Sequence, residues 1–567
     1  MPSTPQPATD DGPAASQDTL THQGQSRGRV WFVASVITLV ALGSRLIWAL
    51  QARSLRWDEP DYLILARNLL AGRGYQIYGT PDLMWPPGTP LLAVLSLAAG
   101  VSVDYALVIW HVLAGALACA LLFGLARDVT GSTLVAALAG LLAAVLPALA
   151  VWPLYWGSMT EPLFLALWLA GLWATWRTLR VGGGLAAGLA GAAFGASYLV
   201  RTEGIFWWAL FLALVTVMAI KRRQRWTTPL LFALGFLLFA LPYVVYLYQH
   251  TGRLMISGKT GIVVFLSPYF VELGGLGHDL LTSLDSTGRE IMWLSPEQFD
   301  ISFVQSVLHD PAGFVRLVRA NLALAQEGLL EVLVGPWIIA VAFLGLFAQP
   351  WRRRRLIAEG FWLAALLPLA ILFISKVETR YLIPLVPILL VWTAYGLVGL
   401  ANWLVGTWEQ VRRWARPAAT TANAATLSRR AAVAALVLLM IASALALRMQ
   451  LKTARVEQVK LTPSHEAAGL WLAQNSQEGE AVMTRARELA LYADRPLVAL
   501  PRGDWATVLD YGRARGADYL VIDNWEIDAL RPQLAFLLDP SQPPAEAEFL
   551  QSFDDPRRTT FIYRLKQ

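Results

Sequence analysis

Cysteine is almost absent from this chain. The 567 residues contain only one, Cys119. A single thiol can form no intrachain disulfide, and it cannot build a metal or redox site from paired cysteines. Because Cys119 lies within an apolar run, we expect it to be a small packing residue. Disulfide-stapled folds and cysteine-based zinc folds are therefore excluded.

Charged residues are also scarce. They make up 15% of the sequence, whereas a typical soluble domain carries roughly 25%. Hydrophobic residues make up 56%, and the mean hydropathy is +0.48. This balance excludes an ordinary soluble protein and indicates an integral membrane protein.

The charges that remain are unevenly placed. The net charge is +6, and in a soluble protein an excess of basic residues would suggest binding to nucleic acid. Here most arginines and lysines lie in short loops between apolar runs, where membrane topology accounts for them. We therefore expect membrane lipids and no nucleic acid among the partners of this chain.

Apolar runs of about 20 residues, the length needed to cross a bilayer, recur along the chain. We predict about eleven spans, near residues 30–50, 105–126, 133–151, 160–178, 183–200, 204–220, 227–248, 329–349, 357–375, 381–404 and 431–449. The run 89–100 is too short to cross, so we predict a re-entrant or interfacial segment there. Counting it as a span would reverse the sidedness of every later loop.

The positive-inside rule favours the eleven-span arrangement. With residues 1–29 as a disordered cytoplasmic tail, every basic cluster falls on the cytoplasmic side, including 221–225 and 352–355. The transmembrane domain then covers 30–450, with outer loops at about 51–104 and 249–328. Residues 460–567 have ordinary polarity and alternate between strand and helix patterns, which predicts a small extracytoplasmic α/β domain. We expect a multi-pass protein of the cell (plasma or inner) membrane.

Ionisable residues gather at the predicted outer ends of the spans, whereas the span centres are almost free of them. Because ionisable groups near membrane depth are costly, we regard this shared depth as the signature of a site. The residues concerned are Asp58, Glu59, Glu161, Arg201, Glu203, Lys376 and Arg380, with Tyr381 beside the last.

Two interpretations stay open for the acidic pair Asp58 and Glu59. They precede or begin an amphipathic helix, where Asp58 is a natural N-cap and acids favour the helix dipole. Alternatively, one carboxylate is a general base held at a rigid helix start, and its neighbour orients it, raises its pKa or binds a metal ion. For Glu161, Arg201 and Glu203, span-end salt bridges compete with a role in lining a site.

Arg380 and Lys376 are the strongest candidates for binding an anion. The planar guanidinium can hold phosphate oxygens through two hydrogen bonds, and Tyr381 could donate a third. The alternative is an arginine that extends towards lipid headgroups. The histidines at 111, 250, 278 and 309 lack metal-ligand spacing, so we predict no dedicated zinc site and no certain cofactor. A divalent metal ion at Glu59 stays open.

Six short motifs resemble those of the GT-C glycosyltransferases, specifically the bacterial members of the dolichyl-phosphate-mannose protein mannosyltransferase superfamily (family 39), which also contains the lipid A aminoarabinose transferases. The likeness covers about 30–400 and rests on the order and common sidedness of the motifs. The motifs are Trp57-Asp58-Glu59-Pro60-x-Tyr62, Gly72-x-Gly74-Tyr75, Trp85-Pro86-Pro87-Gly88-x-Pro90, Thr160-Glu161-Pro162-Leu163-Phe164, Arg201-x-Glu203-Gly204 and Arg380-Tyr381-x-x-Pro384.

The resemblance implies a mainly α, polytopic helical bundle of GT-C type that moves a sugar from a polyprenyl-phosphate donor to an extracytoplasmic acceptor with inversion. The acceptor could be a protein, a lipid or a glycan. By the same resemblance, Asp58 would be the general base, and Glu59 would support it or bind a metal. Arg380, with Lys376, would hold the donor phosphate. Glu161 and Glu203 would line the acceptor or sugar side.

Two other functions compete with this one. A transporter or flippase of lipid-linked sugars would be expected to carry ionisable groups and broken helices near the midplane, whereas this chain has them at one edge. A polymerase or ligase of surface polysaccharide would share the sidedness and differ in its acceptor. The sequence distinguishes poorly between such a polymerase or ligase and the glycosyltransferase.

Overall fold

The computed structural model describes residues 15–157, 159–348, 350–415, 424–458 and 461–566. Most of these residues are helical up to residue 458. This follows from the long apolar runs, because a chain surrounded by lipid must satisfy its backbone polar groups within each segment.

The helices of the first half pack as an antiparallel series with short connections. They are α1 (Ala15–Ala49), α2 (Glu59–Leu70), α3 (Gly88–Ala98), α4 (Val103–Ala106), α5 (Val108–Thr130), α6 (Thr133–Val145), α7 (Pro147–Ala150), α8 (Trp152–Trp156), α9 (Thr160–Val181), α10 (Gly184–Val200), α11 (Gly204–Ile220) and α12 (Thr227–Thr251). A two-residue hairpin, β1 (Gln76–Ile77) with β2 (Thr80–Pro81), lies between α2 and α3.

The second half contains a long loop with short helices, followed by further membrane-type helices. The α-helices are α13 (Thr260–Leu273), α14 (Phe303–His309), α15 (Pro311–Glu327), α16 (Gly335–Phe347), α17 (Arg353–Leu366), α18 (Ala370–Ile374), α19 (Leu385–Ala415) and α20 (Ala424–Gln458). Short 3₁₀ helices occur at Gly274–Thr282, Pro296–Asp300, Leu367–Leu369 and Thr379–Leu382, and a π-helix at Gly328–Leu333.

A helix lies at each of the eleven predicted span positions, but not all of them are long enough to cross a membrane alone. Among the described residues, six helices are long and apolar enough, or seven if α15 with its π-helical end and α16 form one span bent by 99°. The multi-spanning character is therefore supported, whereas the count of eleven stays a prediction. The run 89–100 is the 11-residue helix α3, too short to span a bilayer.

The N-terminal prediction needs a correction. Helix α1 begins at Ala15, so residues 15–29, for which we predicted disorder, continue the first span as one helix. Helix propensity explains the difference. The helix of a long span can continue into a neighbouring polar segment when that segment contains no helix-breaking proline. Residues 1–14 of the predicted tail lie outside the described residues.

Small residues allow the helices to approach closely. A side-chain carbon added at Gly191 of α10 would collide with the carbonyl oxygen of Phe232 in α12. Such contacts between small residues are a common basis for helix association in membranes, where apolar burial gives little driving force.

A buried arginine accompanies a break between α6 and α7. Arg45 of α1 is 1% exposed, and it donates hydrogen bonds to the carbonyl oxygens of Ala144 at 3.3 Å and Leu149 at 2.9 Å. These carbonyls flank Pro147, where the regular helix is interrupted. Arg45 thus satisfies backbone groups that the break leaves without helical partners. The sequence analysis did not identify this role.

A C-terminal unit, residues 463–566, is built around a five-stranded sheet of order β4-β3-β5-β7-β6. The strands are β3 (Ala481–Thr484), β4 (Leu497–Ala499), β5 (Ala517–Asp523), β6 (Ala547–Asp554) and β7 (Thr559–Leu565), and the α-helices are α21 (Pro463–Asn475), α22 (Arg487–Ala493), α23 (Trp505–Ala514) and α24 (Asn524–Leu530). The first three strands in this order run parallel, and the last two join antiparallel. The edge strand β6 has mostly half-exposed side chains.

The C-terminal unit rests on the long loop between α12 and α15. Ile291 of that loop is packed into one apolar face of the sheet. Arg531, which is fully buried, forms ion pairs with Asp279 of the loop and with Glu526, both at 3.1 Å. Since the loop also reaches the candidate site, the unit lies at the same end of the bundle as that site.

Candidate active site

An ion pair between Asp58 and Arg380 forms the centre of the site. Oδ2 of Asp58, immediately before α2, lies 2.8 Å from Nη1 of Arg380 in the 3₁₀ helix Thr379–Leu382. The Asp58 side chain makes no capping bond to the described amides of α2. Its carboxylate therefore serves the contact with Arg380 and not the helix end, although the sequence left both roles open.

Glu378 links the two candidate cations of this turn. Its Oε2 atom lies 2.7 Å from Nε of Arg380, and its Oε1 atom lies 2.6 Å from Nζ of Lys376. The Lys376 ammonium also donates to Nε2 of His278 at 2.7 Å. Burial raises the pKa of Glu378, but the neighbouring Arg380, Lys376 and His278 outweigh burial and hold the pKa well below its usual range. Glu378 is thus a fixed anion between two cations.

The pKa of Asp58 reflects the same excess of positive charge. Burial raises the pKa of this carboxyl, but Arg380 and Lys259 outweigh that effect and lower it below its ordinary value. Asp58 is therefore ionised over the whole physiological pH range. As long as Arg380 stays bound to it, it is a weaker base than a free aspartate.

Lys259 is a site residue that the sequence analysis missed. Its Nζ atom lies 3.4 Å from the centre of the Trp85 ring. Burial lowers the pKa of Lys259 to about 8, although Asp58 and Glu203 raise it. A Cβ at the preceding Gly258 would collide with the carbonyl of Leu83, so the glycine allows the close backbone approach that delivers the lysine. The one signal available was that Lys259 is the only lysine between 249 and 328.

A second group of charged residues surrounds Arg201. Its guanidinium lies 3.1 Å from Glu203 and 3.6 Å from Glu161. The carbon at its centre lies 4.8 Å from the Tyr381 ring centre, and that of Arg380 lies 5.4 Å from the same ring. The structure thereby brings together Glu161, Arg201, Glu203 and Tyr381, and Tyr381 connects them to the Asp58–Arg380 pair.

Glu59 has a different position from the one that the sequence suggested. Its side chain is fully buried, and its two carboxylate oxygens bind Arg53 at 2.6 and 2.7 Å. Arg53 also donates to the carbonyl oxygen of Asp104 at 2.7 Å, so the pair fastens the start of α2 to the segment before α5. Because both oxygens are engaged, Glu59 is a structural residue here and does not face the Asp58–Arg380 pair as a partner or a metal ligand.

Metal ligands are not grouped in this region. Over the described ranges, no cluster of three or more histidine, cysteine, aspartate or glutamate side chains could hold a metal ion. Asp58, Glu161, Glu203 and Glu378 are each paired with a lysine or arginine. The residues present therefore do not fit a bound divalent ion.

A cleft with apolar walls opens beside the second charged group. Arg201, Glu203 and Tyr381 form its polar part, and Trp207 and Leu372 are among its apolar lining residues. Such a combination fits an amphiphilic molecule that has a polar head and a hydrocarbon chain.

Solved structures share this architecture. The crystal structure of ArnT from Cupriavidus metallidurans bound to undecaprenyl phosphate matches with a TM-score of 0.53 and 15% identity, covering 94% of this chain and 98% of that chain. The apo state of the same protein matches with a TM-score of 0.53 and 16% identity, covering 95% and 98%. No protein-family model matches the chain, and no curated protein matches it significantly. The chain therefore shares the fold of these structures, in line with the resemblance that its motifs carry.

Proposed function

We propose that this chain of GT-C fold is a membrane glycosyltransferase, which moves a sugar from a polyprenyl-phosphate donor to an acceptor outside the cytoplasm with inversion at the anomeric carbon. The observation that carries the proposal is the ion pair between Asp58 and Arg380, 2.8 Å long. A carboxylate that can take a proton and a cation that can hold a phosphate are the two groups that this reaction requires.

The chemistry follows from the placement of these groups. An acceptor hydroxyl attacks the anomeric carbon from the face opposite the phosphate, and Asp58 accepts its proton as the new C–O bond forms. The bond between the anomeric carbon and the phosphate oxygen breaks, and its electron pair stays on the phosphate. Arg380 stabilises the charge that develops there.

Arg380 also connects donor binding to the strength of the base. In the structure its Nη1 atom binds Asp58, which lowers the pKa of that carboxyl. A donor phosphate that binds the same guanidinium competes with Asp58 for its charge, and the pKa of Asp58 rises accordingly. The base would then become strong only when the donor is in place, which limits unproductive proton transfer.

Two lysines would complete the phosphate site. Lys259 lies close enough to Asp58 and Arg380 to affect both electrostatically, and Lys376 reaches the site through Glu378. Together with Arg380 they supply three positive charges for one phosphate, and the anions bound to them are Glu378 and Asp58. Such preorganised cations stabilise the charge of the phosphate more strongly in a partly buried site than they would in water.

The cleft lined by Arg201 and Trp207 would accommodate the lipid carrier. Its apolar wall, which includes Trp207 and Leu372, suits the first isoprene units next to the phosphate. The similar ArnT structure contains undecaprenyl phosphate, which supports a carrier of that class. Glu161 and Glu203 would then face the sugar or the acceptor, where carboxylates accept hydrogen bonds from hydroxyl groups.

The distribution of basic residues supports an extracytoplasmic site. Helix α11 starts next to Glu203 and ends at Ile220, before the basic cluster 221–225. Seventeen helical residues rise by about 25 Å, so the cluster lies at the opposite end of the bundle from the site. The positive-inside rule assigns that opposite end to the cytoplasm, together with the N-terminus. The C-terminal unit would lie outside, in the compartment that the site faces.

The position of the charges also favours an enzyme over a transporter. Transport sites are expected near the midplane, whereas the charged groups of this site lie at the ends of α2, α9 and α11. The test uses purified protein in liposomes with polyprenyl-phosphate-linked sugars and an extract of envelope acceptors. We expect release of free polyprenyl phosphate together with labelled product. Movement of the lipid-linked sugar across the bilayer without release would identify a flippase and contradict the proposal.

A further inference from the structure

The C-terminal unit contributes an arginine to the surroundings of Asp58. Arg487 begins α22, its Nη1 atom binds Oδ2 of Asp61, and its Nη2 atom donates to the carbonyl oxygen of Trp57 at 2.9 Å. One guanidinium therefore holds the residue directly before Asp58 and a residue in the first turn after it. We propose that Arg487 is a positioning residue that aims Asp58 at the reacting atoms, an inference that rests on the proposed glycosyl transfer.

The backbone before Asp58 needs such support. Trp57 has a φ of +56°, in the left-handed region that bulky residues rarely adopt. Its side chain is 50% exposed, so burial of the indole does not maintain this conformation. The hydrogen bond from Arg487 to the Trp57 carbonyl acts directly on the peptide unit that joins Trp57 to Asp58. Loss of that bond would release the strain and let the aspartate turn away from Arg380.

Charge balance gives Arg487 a second role. Asp61 is fully buried, and a buried carboxylate requires a counter-charge. With Arg487 present, Asp61 and Asp58 each have their own arginine, because Asp58 binds Arg380. Without Arg487, burial would favour the protonated form of Asp61, and the ionic contact that ties the first turn of α2 to α22 would be lost.

The remainder of the interface fixes α22 along α2. Arg67, near the far end of α2, donates to the carbonyl oxygen of Leu491 at 2.7 Å and pairs with Asp494 at 2.8 Å. Tyr492 donates to Oδ1 of Asp104 at 2.6 Å. The C-terminal unit is thereby held along α2, and its Arg487 end touches the residues that flank the base. Arg67 belongs to the same interface and provides a matched control.

The experiment compares Arg487→Ala, Arg487→Lys and Arg67→Ala in the purified full-length chain. For Arg487→Ala we expect kcat to fall about 100-fold, because a shift of about 1 Å in the base has an effect of that order. Binding of undecaprenyl phosphate should change by less than about threefold, since Arg380 and Lys259 remain. Arg487→Lys should recover part of kcat, because an ammonium can pair with Asp61 but cannot form both contacts. Arg67→Ala should retain near-normal turnover.

Three results would overturn the inference: unchanged kcat in Arg487→Ala, equal losses in Arg487→Ala and Arg67→Ala, or a parallel loss of lipid binding. A second measurement separates this inference from the proposed function. Hydrogen exchange of the Asp58 and Glu59 amides should accelerate in Arg487→Ala and stay unchanged in Arg67→Ala, whatever reaction the protein catalyses. If the wild-type protein transfers no sugar while the exchange differs as expected, the proposed function fails and the positioning role stands. Unchanged exchange removes the positioning role.

Discussion

Nη1 of Arg380 lies 2.8 Å from Oδ2 of Asp58, although the two residues are 322 positions apart in the chain. The contact joins the loop after the first span to the turn before α19, and it fixes both at the same end of the bundle. Since Nε of Arg380 also binds Glu378, the guanidinium is oriented from two sides. The predictions below depend on this relationship.

Asp58→Asn should abolish sugar transfer and leave binding of the lipid carrier intact. The amide keeps the size of the side chain but cannot accept the acceptor's proton, and loss of a general base reduces rates by about 10²–10⁴-fold. Transfer assays and a separate undecaprenyl-phosphate binding assay measure the two effects. Asp128→Asn is the matched control, because Asp128 pairs with Arg177 at 3.2 Å near the far end of α9 from Glu161. Full transfer activity in Asp58→Asn would remove the assignment of the base.

Arg380→Lys should weaken the donor interaction. Lysine keeps the positive charge but lacks the planar fork that binds Asp58, Glu378 and a phosphate at the same time. We expect the KM for the donor to rise about tenfold or more, with a further loss in kcat. Arg177→Lys, at the other end of the bundle, provides the control. Unchanged donor kinetics in Arg380→Lys would show that the phosphate binds elsewhere.

Donor affinity should depend on pH through Lys259. Because its pKa is lowered to about 8, the ammonium is charged below that pH and loses its proton as the pH rises through it. Donor affinity should therefore decrease on the alkaline side of pH 8, measured as KM between pH 6 and 10. Lys259→Arg should remove this decrease, since arginine stays charged, and Lys259→Gln should show weak binding at every pH. A decrease of the same size in Lys259→Arg would assign the titration to another group.

Glu59→Gln should lower the stability of the fold more than it lowers the rate of sugar transfer. Removing one charge from the buried pair with Arg53 leaves the guanidinium without its partner, which costs about 3–5 kcal/mol. Thermal unfolding in detergent should shift down, and activity at low temperature should fall far less than in Asp58→Asn. Chelators should leave wild-type activity unchanged. A variant with wild-type stability, no activity and a response to added divalent ions would restore Glu59 as a metal ligand.

Sequence patterns picked out four residues of the candidate site because they lie at helix ends, where motif and topology coincide. Asp58, Arg201, Glu203 and Arg380 were identified in this way, and the structure brings them together. The resemblance also implied that Glu59 supports the base or binds a metal ion, whereas the structure pairs both of its carboxylate oxygens with Arg53. Neighbouring residues at a helix start point in different directions, and Arg53 lies on the side that Glu59 faces.

The residues that the sequence analysis missed depend on tertiary approach. Lys259 reaches the site because Gly258 packs on the Leu83 backbone, and Arg487 does so because α22 lies along α2. Arg45 is explained by a helix break in another segment. None of these relationships has a local period or spacing, so a single sequence does not show the contacts that bring these residues to the site.

The most direct test of the account is an electron cryo-microscopy structure of the full chain with undecaprenyl phosphate. We expect the phosphate within hydrogen-bonding distance, about 3 Å, of Arg380 and Lys259, with the prenyl chain leaving through the cleft beside Trp207. The carboxylate of Asp58 should then have turned from the guanidinium towards the side away from the phosphate, where the acceptor hydroxyl would lie. A phosphate bound at the opposite end of the bundle, among the arginines at 352–355, would contradict the account.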